Sequence, residues 1–354
     1  MKLEIDLIRA RLRAPFVSAS GSVEDRELVL VRLEDSAGHV GFGEAAPLAS
    51  YDGVGIDHVR AALEDCRPAL ADSDGSERES LLAQCTRLAV LPQAVAAIDL
   101  ALWDLEGRRS GDPVWRLLGG DGDRAVDVNY TIAAPDRASA ATEALTARDA
   151  GFRCLKLKVG IGDDAGRLAA VRAAAGPAVA LRLDANGGWS VAEAQAALRA
   201  LEPAGIELCE EPVRGLEETA ELWGTTTVAL AIDESAAAPG ALERRVCDAV
   251  CLKIARCGGI TGVLNAARRA RASGYEVYLA STLDGPLGIA AALHAAAVLH
   301  PDRPSGLATL TLFAERADPL PSRDGRIAVP ESPGLGNGLA DWYPAVTSAP
   351  RRPN

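Results

Sequence analysis

Three lysines and three carboxylates stand where short apolar runs end. Lys156 and Lys158 alternate with Leu155 and Leu157, so in a strand both ammonium groups share one face. Two like charges buried side by side are costly unless opposite charges offset them. Asp184, Glu210 and Asp233 each close a run of strand-like residues, within AVALRLDA, GIELCEEP and ALAIDE. A single acid in such a place is commonly a helix cap, and a single Lys-x-Lys an exposed edge. Three acids at three consecutive run ends are harder to place that way. Gathered at one mouth, they form an oxygen-only ligand set suited to a hard divalent cation such as Mg²⁺, with Mn²⁺ as a substitute. Lys253 closes a later run, CLKIARCGG, and faces Lys158 across a ring of eight strands. Two ammonium groups flanking a dication suit removal of the proton beside a substrate carboxylate, because all three positive charges stabilise the enediolate that forms. The cation and the second lysine should also lower the proton affinity of the base. Asn186, Glu211 and Glu234 lie next to the acids and are read as hydrogen-bond partners that orient them.

Strand ends meet only if the fold gathers them. From about residue 125, eight β-rich runs (VDVNYTI, RCLKLKV, AVALRLDA, GIELCEEP, ALAIDE, DAVCLKIA, YEVYLAS and GLATL) alternate with alanine-rich helical stretches. That rhythm predicts the α/β class, with a parallel sheet closed as a (β/α)8-type barrel, whose strand C-termini share one mouth. The first hundred residues differ. ELVLVRLEDSAGHVGFGEA reads as a hairpin broken at Asp35–His39, followed by helices over 56–66, over 78–88 and from Gln93. Val95, Ile98, Leu102 and Leu105 share one face of the last helix, with stop signals at Gly107 and Gly111-Asp112-Pro113. The expected organisation is an α+β unit over 1–118, a barrel over 119–312, and a proline- and glycine-rich tail over 313–354 that folds back onto the N-terminal unit. Between them, PFVSASGSVED (Pro15–Asp25) has the serines and glycines of a lid, with Phe16 and Ser20 as candidate substrate contacts.

Composition narrows the partners. With 48% hydrophobic and 24% charged residues, the chain has the profile of a folded globular protein. A net charge of -12 repels nucleic acid and acidic lipid. No apolar run reaches the ~18 residues of a membrane span, and the opening Met-Lys-Leu-Glu-Ile-Asp lacks the apolar core of a signal peptide. The expected setting is cytoplasmic and the expected partner a small-molecule carboxylate; a homo-oligomer is compatible with both. The seven cysteines are odd in number and scattered, as free thiols would be, and Cys247, Cys251 and Cys257 lack the Cys-x-x-Cys spacing of a zinc site.

The runs CLKLKVG, LRLDANGGW, ELCEEP, AIDES and CLKIARCGGI together resemble the enolase superfamily, in its muconate-lactonizing-enzyme subgroup, and the resemblance extends over essentially the whole chain. It implies a modified TIM barrel under an N-terminal capping domain. It also implies Mg²⁺ on Asp184, Glu210 and Asp233, Lys158 as the base, Lys253 as the second lysine, and Lys156 as a contact of the substrate carboxylate that tunes Lys158. The histidines His39, His58, His294 and His300 end no barrel strand, so the histidine-base pattern of mandelate racemases is not met. Ala308 and Thr309 stand where dipeptide epimerases carry an Asp-x-Asp pair. ASTLDGPLGIAAALHAA followed by GLATLTLF is most similar to o-succinylbenzoate synthases, which implies substrate contacts at Ser281 and Asp284, although Leu283-Asp284-Gly285-Pro286 departs from that family's glutamate. The implied reaction is a syn dehydration in menaquinone synthesis. N-succinylamino acid racemisation and muconate cycloisomerisation are the alternatives, and a non-catalytic metal- or metabolite-binding barrel is the reading of a different class.

Overall fold

A computed structural model describes residues 1–19, 21–71, 73, 77–121 and 124–343. Three antiparallel strands open the chain in the order β1 (Lys2–Ser18), β2 (Gly21–Glu34) and β3 (Val40–Ala45). The predicted break at Asp35–His39 is a turn closed by the Asp35 carboxylate, which accepts the N–H groups of Ala37 (2.9 Å) and His39 (2.8 Å). The expected lid turns out to be regular structure. Phe16 pairs with Val23, Val17 with Ser22 and Ser18 with Gly21, so the segment is the far end of the β1–β2 ribbon, bent where the register slips between Arg11 and Phe16.

Helices α1 (Ala49–Asp52), α2 (Ile56–Ala71), α3 (Arg78–Ala89) and α4 (Pro92–Ser110) cover this sheet. α4 is apolar on nearly every face because it lies between the sheet and the barrel. It packs on β3 through the GFG sequence: a Cβ at Gly43 would sit 1.9 Å from the Ala97 carbonyl oxygen, so only glycine lets strand and helix backbones touch. The buried Asp99 of α4 accepts from the backbone N–H (3.0 Å) and hydroxyl (2.6 Å) of Thr261, tying cap to barrel.

After α5 (Val114–Leu117) and β4 (Ala125–Asp127), seven strands form one parallel sheet in chain order: β5 (Tyr130–Ile132), β6 (Cys154–Lys158), β7 (Ala180–Asp184), β8 (Ile206–Glu210), β9 (Ala229–Ile232), β10 (Ala249–Leu252) and β11 (Glu276–Leu279). Helices α6 (Arg137–Asp149), α7 (Asp164–Ala175), α8 (Val191–Leu201), α9 (Leu216–Leu222), α10 (Ile254–Cys257) and α11 (Gly259–Ala272) supply the crossovers, and α12 (Pro286–Leu299) follows β11. The predicted first run splits: β4 pairs outside the barrel and only β5 enters it. The predicted eighth strand shrinks to single bridges at Ser305 and Gly306, which join Val128 on one side and Ala280 on the other. Backbone bonds from Asn129 N–H to Ser305 O (3.0 Å) and from Ser281 N–H to Gly306 O (3.1 Å) close the ring. Pro304 just before this segment cannot donate to a ladder, and Leu310–Leu312 turn into a 3-10 helix just after it, so no longer strand forms. The tail adds β12 (Ser322–Arg323) and β13 (Arg326–Ala328) to β4. It then reaches the N-terminal unit, where Leu335 N–H donates to Asp104 (2.7 Å) and the Tyr343 hydroxyl bonds Glu44. Among the described residues, no helix is long and apolar enough to cross a membrane.

Candidate active site

Strand alternation decides what points inward. Leu208, Ala231, Ala249, Cys251, Tyr278 and Ala280 form a layer within the barrel, and one pleat higher on several of the same strands come Glu210, Asp233 and Lys253. Lys156 pairs in register with Arg182, Lys158 with Asp184, and Asp184 with Glu210, so the charges of β6, β7 and β8 lie in adjoining rows. All six charged groups are buried.

Lys156 Nζ lies 2.9 Å from Glu210 and 3.1 Å from Asp184, and Lys158 Nζ lies 2.7 Å from the same Asp184 oxygen. Lys158 also donates to Asn186 Oδ1 at 2.9 Å. Across the mouth, Lys253 pairs with Asp233. Burial opposes the charge on Lys156 and Lys253, but Glu210 and Asp184 around the first and Asp233 around the second outweigh it and hold both ammonium groups above the usual lysine range. Burial likewise opposes ionisation of Asp184, yet Lys158 and Lys156 keep it well below the usual carboxylate range.

Asn186 donates to Glu234 at 2.9 Å, and Glu211 accepts the backbone N–H of Asp233 (2.6 Å) and of Ser235 (3.0 Å). Burial first, then the neighbouring carboxylates, pushes Glu211 up to about 8 and Glu234 to about 7. Asn186 and Glu211 both have positive φ (46° and 39°), a strained backbone at the point where each strand leaves the barrel.

Between cap and barrel lies a cleft of ≈ 740 Å³, its open mouth included. Phe16, with its ring centre 5.6 Å from Lys158 Nζ, Ser281 and Thr309 all line it; the two hydroxyls are 2.9 Å apart. Ser20 lies outside the described residues. Asp284 does not line the cleft: its carboxyl turns inward to accept the Thr282 hydroxyl (2.6 Å), in a buried group with Glu44 and Arg26. The positive φ of Leu283 (59°) marks the backbone turn in front of it. His294 is a packing residue, bonded to Trp115 N–H (3.2 Å) and facing Leu335 O (3.1 Å).

Two tyrosines escaped the sequence reading. Tyr51, on the cap's short α1, donates to Asp233 at 2.6 Å and accepts from Lys253 at 2.7 Å. Tyr278, inside the barrel, donates to the second Glu210 oxygen at 2.6 Å. Tyr278 was legible as an inward position of its strand; for Tyr51 the only signal was an aromatic in the turn-rich SYDG that follows a strand.

The donor set fits a hard divalent cation. Asp184, Glu210 and Asp233 offer buried oxygens from three consecutive strands, and ligand atoms of Glu210 and Asp233 approach within 4.8 Å. Three lysines balance three carboxylates here, so a dication adds net positive charge that an anionic substrate offsets.

The chain can now be placed among known proteins. It is 34% identical over 313 residues to the L-Ala-D/L-Glu epimerase of Bacillus subtilis, covering 84% of each chain. It is 30% identical to the N-succinyl-L-Arg/Lys racemase of Bacillus cereus, over 82% of this chain and 81% of that one. The crystal structure of the dipeptide epimerase from Cytophaga hutchinsonii, complexed with Mg and the dipeptide D-Ala-L-Val, superposes with a TM-score of 0.86 at 29% identity, covering 96% and 98% of the two chains. Residues 3–119 match the mandelate racemase / muconate lactonizing enzyme N-terminal domain and residues 139–341 the enolase C-terminal domain-like family, so with cap and barrel both accounted for, the chain belongs to the mandelate racemase / muconate lactonizing enzyme family of the enolase superfamily.

Proposed function

We propose that this chain moves the α-proton of a carboxylate substrate whose hydrogen-bonding tail carries no positive charge, an N-acyl amino acid being the class that fits best, and that it does so from both faces. The observation that carries this reading is the placement of Lys158 and Lys253. They arrive from strands four positions apart in the ring and rest on different carboxylates, Asp184 and Asp233. A substrate lying between them offers one face to each ammonium group. Lys158, aimed by Asn186, takes the proton from one face, and Lys253 returns one to the other. Lys156 stays between Asp184 and Glu210 as a fixed positive charge beside the substrate carboxylate. Asp184, Glu210 and Asp233 would hold Mg²⁺, or Mn²⁺, which when bound supplies further positive charge to that carboxylate.

The tail class follows from the rest of the cleft. Beyond the lysines and acids named above, its described lining is Phe16, Val23, Leu48, Leu283, Asn186, Ala280, two glycines and several hydroxyl residues, all uncharged. Asp184 and Asp233 are the only carboxylates in that lining, and both already pair with lysines. Neither is free for the amino group of a dipeptide. An amide, by contrast, can bond Ser281 and Thr309. Racemisation of N-succinyl or N-acetyl amino acids, followed by polarimetry with added Mg²⁺, tests the reading; inactivity across neutral and aromatic side chains would count against it.

A second reading, syn dehydration of the o-succinylbenzoate synthase type, draws support from Tyr51. Its hydroxyl and Asp233 pin Lys253, which suits a lysine that only stabilises negative charge. The behaviour of Lys253→Arg separates the two: arginine keeps the charge and cannot shuttle a proton, so a dehydratase retains proton removal by Lys158 and a racemase loses interconversion.

A further inference from the structure

Both walls of the cleft are fastened to one buried guanidinium. Leu48, Ser50 and Tyr51 face the cleft from the cap, and Ser281, Thr282 and Leu283 face it from the barrel. Arg26 stands on β2, paired with Ala10 of β1 and 2% exposed. Its Nη1 and Nη2 donate to Pro47 O (2.8 Å) and Ala46 O (3.1 Å), the residues that lead into the cap wall. Its Nε donates to Leu283 O (3.3 Å), in the barrel wall. The same bond holds a backbone turn that is strained, since Leu283 has a φ of 59°. Beside this crossing runs a second one, from the Thr282 hydroxyl to Ala46 O at 3.2 Å. Arg26 makes no ion pair among the described residues. The charges that offset its own are Asp284 and then Glu44, one following the barrel wall and the other preceding the cap wall. An apolar side chain at this position would pack without burying a charge, whereas the planar fork of arginine can hold three carbonyls at once.

We propose that Arg26 is a positioning residue for substrate binding: it sets the separation of the two cleft walls, and through it the length of acyl tail that the cleft accepts. The inference rests on the N-acyl reading above, because these walls are the ones that face the tail. The proton-transfer groups are held independently. Lys158 and Lys253 belong to the barrel and rest on Asp184 and Asp233. Tyr51 is anchored through its own helix, where the Asp52 carboxylate accepts Leu48 N–H (3.3 Å) and the Gln93 side-chain amide (2.7 Å). Loosening the walls therefore weakens substrate binding and leaves proton transfer close to its wild-type rate. An arginine in an alternating strand gives no sign of this role, since its three partners come from two distant loops.

Two variants test the clasp in the full-length protein. Arg26→Lys keeps the buried charge without the fork, and Thr282→Val removes the second crossing without altering any charge. Each is assayed with Mg²⁺ on N-acetyl, N-succinyl and longer N-acyl derivatives of one amino acid, and backbone hydrogen exchange is followed by mass spectrometry. Arg26→Lys should raise KM for the preferred derivative about tenfold with kcat within about threefold of wild type. It should also narrow the preference among acyl lengths and speed exchange in 46–51 and 281–285 together, with Mg²⁺ affinity by calorimetry unchanged. Thr282→Val should shift KM and exchange in the same direction by a smaller factor, and it decides the matter if Arg26→Lys does not fold. A fall in kcat at constant KM, unchanged kinetics, or faster exchange spread over the whole cap would give Arg26 a purely structural part and overturn the proposal. Wild type that turns over no N-acyl amino acid removes the substrate reading instead. The exchange data then decide the clasp, which stands if both walls loosen together and falls if they do not.

Discussion

Replacing Glu44 with Gln should make the protein progressively more stable than wild type as pH rises. Glu44 ends β3 in the cap, is 3% exposed, accepts Gly285 N–H at 2.8 Å and bonds the Tyr343 hydroxyl. It thereby links the cap, the tail and the loop after β11 that carries Ser281 to Asp284. Burial, and then the charge of Asp284, pushes its carboxyl from 4.5 up to about 8. A folded-state value above the unfolded one means that the native state holds this proton more tightly. The resulting stability is full below about pH 4.5 and lost as pH rises toward 8, where folding must bury a charge. Carrying one carboxyl between those values is worth at most roughly 5 kcal/mol. With an unfolding entropy of about 2.1 cal/mol/K per residue, the unfolding entropy of this chain is about 0.7 kcal/mol per degree, so the difference reaches up to roughly 7 °C. Gln keeps the acceptor oxygen for Gly285 and never ionises. Thermal melts of both proteins from pH 5 to 9 should therefore diverge, the variant lying higher at the alkaline end. Parallel curves would refute the reasoning, since Asp99, Glu211 and Glu234 remain common to both.

Tyr51→Phe removes a hydroxyl bonded to two charged groups, worth about 1.5–3 kcal/mol. Deuterium exchange on the Lys253 face should fall about 10- to 100-fold with the Lys158 face nearly unchanged, and an equal fall on both would assign Tyr51 a purely structural part. Glu210→Gln should weaken Mg²⁺ binding by about tenfold or more in calorimetry; unchanged affinity would remove Glu210 from the ligand set. L-Ala-L-Glu should be epimerised at least about 100-fold less efficiently than an N-acyl amino acid, because no unpaired acid among the described cleft residues meets its amino group. Comparable kcat/KM values for the two would show that another group holds the amine.

The charged strand ends were legible because alternation and strand termini follow from local sequence: Lys156 and Lys158 had to share a face, and Asp184, Glu210 and Asp233 had to end their strands together. The helix from Gln93 was legible too, since its stop at Gly111 is a left-handed cap (φ 81°) that glycine adopts at no steric cost. What local pattern lacks is direction in space. β1 carries charges among its apolar residues and was not read as a strand; its pairing with β2 is what makes it one. Asp284 follows Ser281 closely, yet a left-handed Leu283 turns it away from the cleft and into contact with the cap. Tyr51 meets Lys253 from 202 positions away, a contact set by how the cap sits on the barrel and by nothing in the neighbouring residues.

The most direct measurement of two-faced proton transfer is α-deuterium incorporation by NMR, with each enantiomer of an N-succinyl amino acid presented separately to protein and Mg²⁺ in deuterium oxide. Wild type should exchange and interconvert both enantiomers. Lys158→Arg should abolish exchange of one and Lys253→Arg exchange of the other, because arginine retains the charge and holds its proton. Undiminished exchange of both enantiomers in either variant would contradict the assignment of these two lysines.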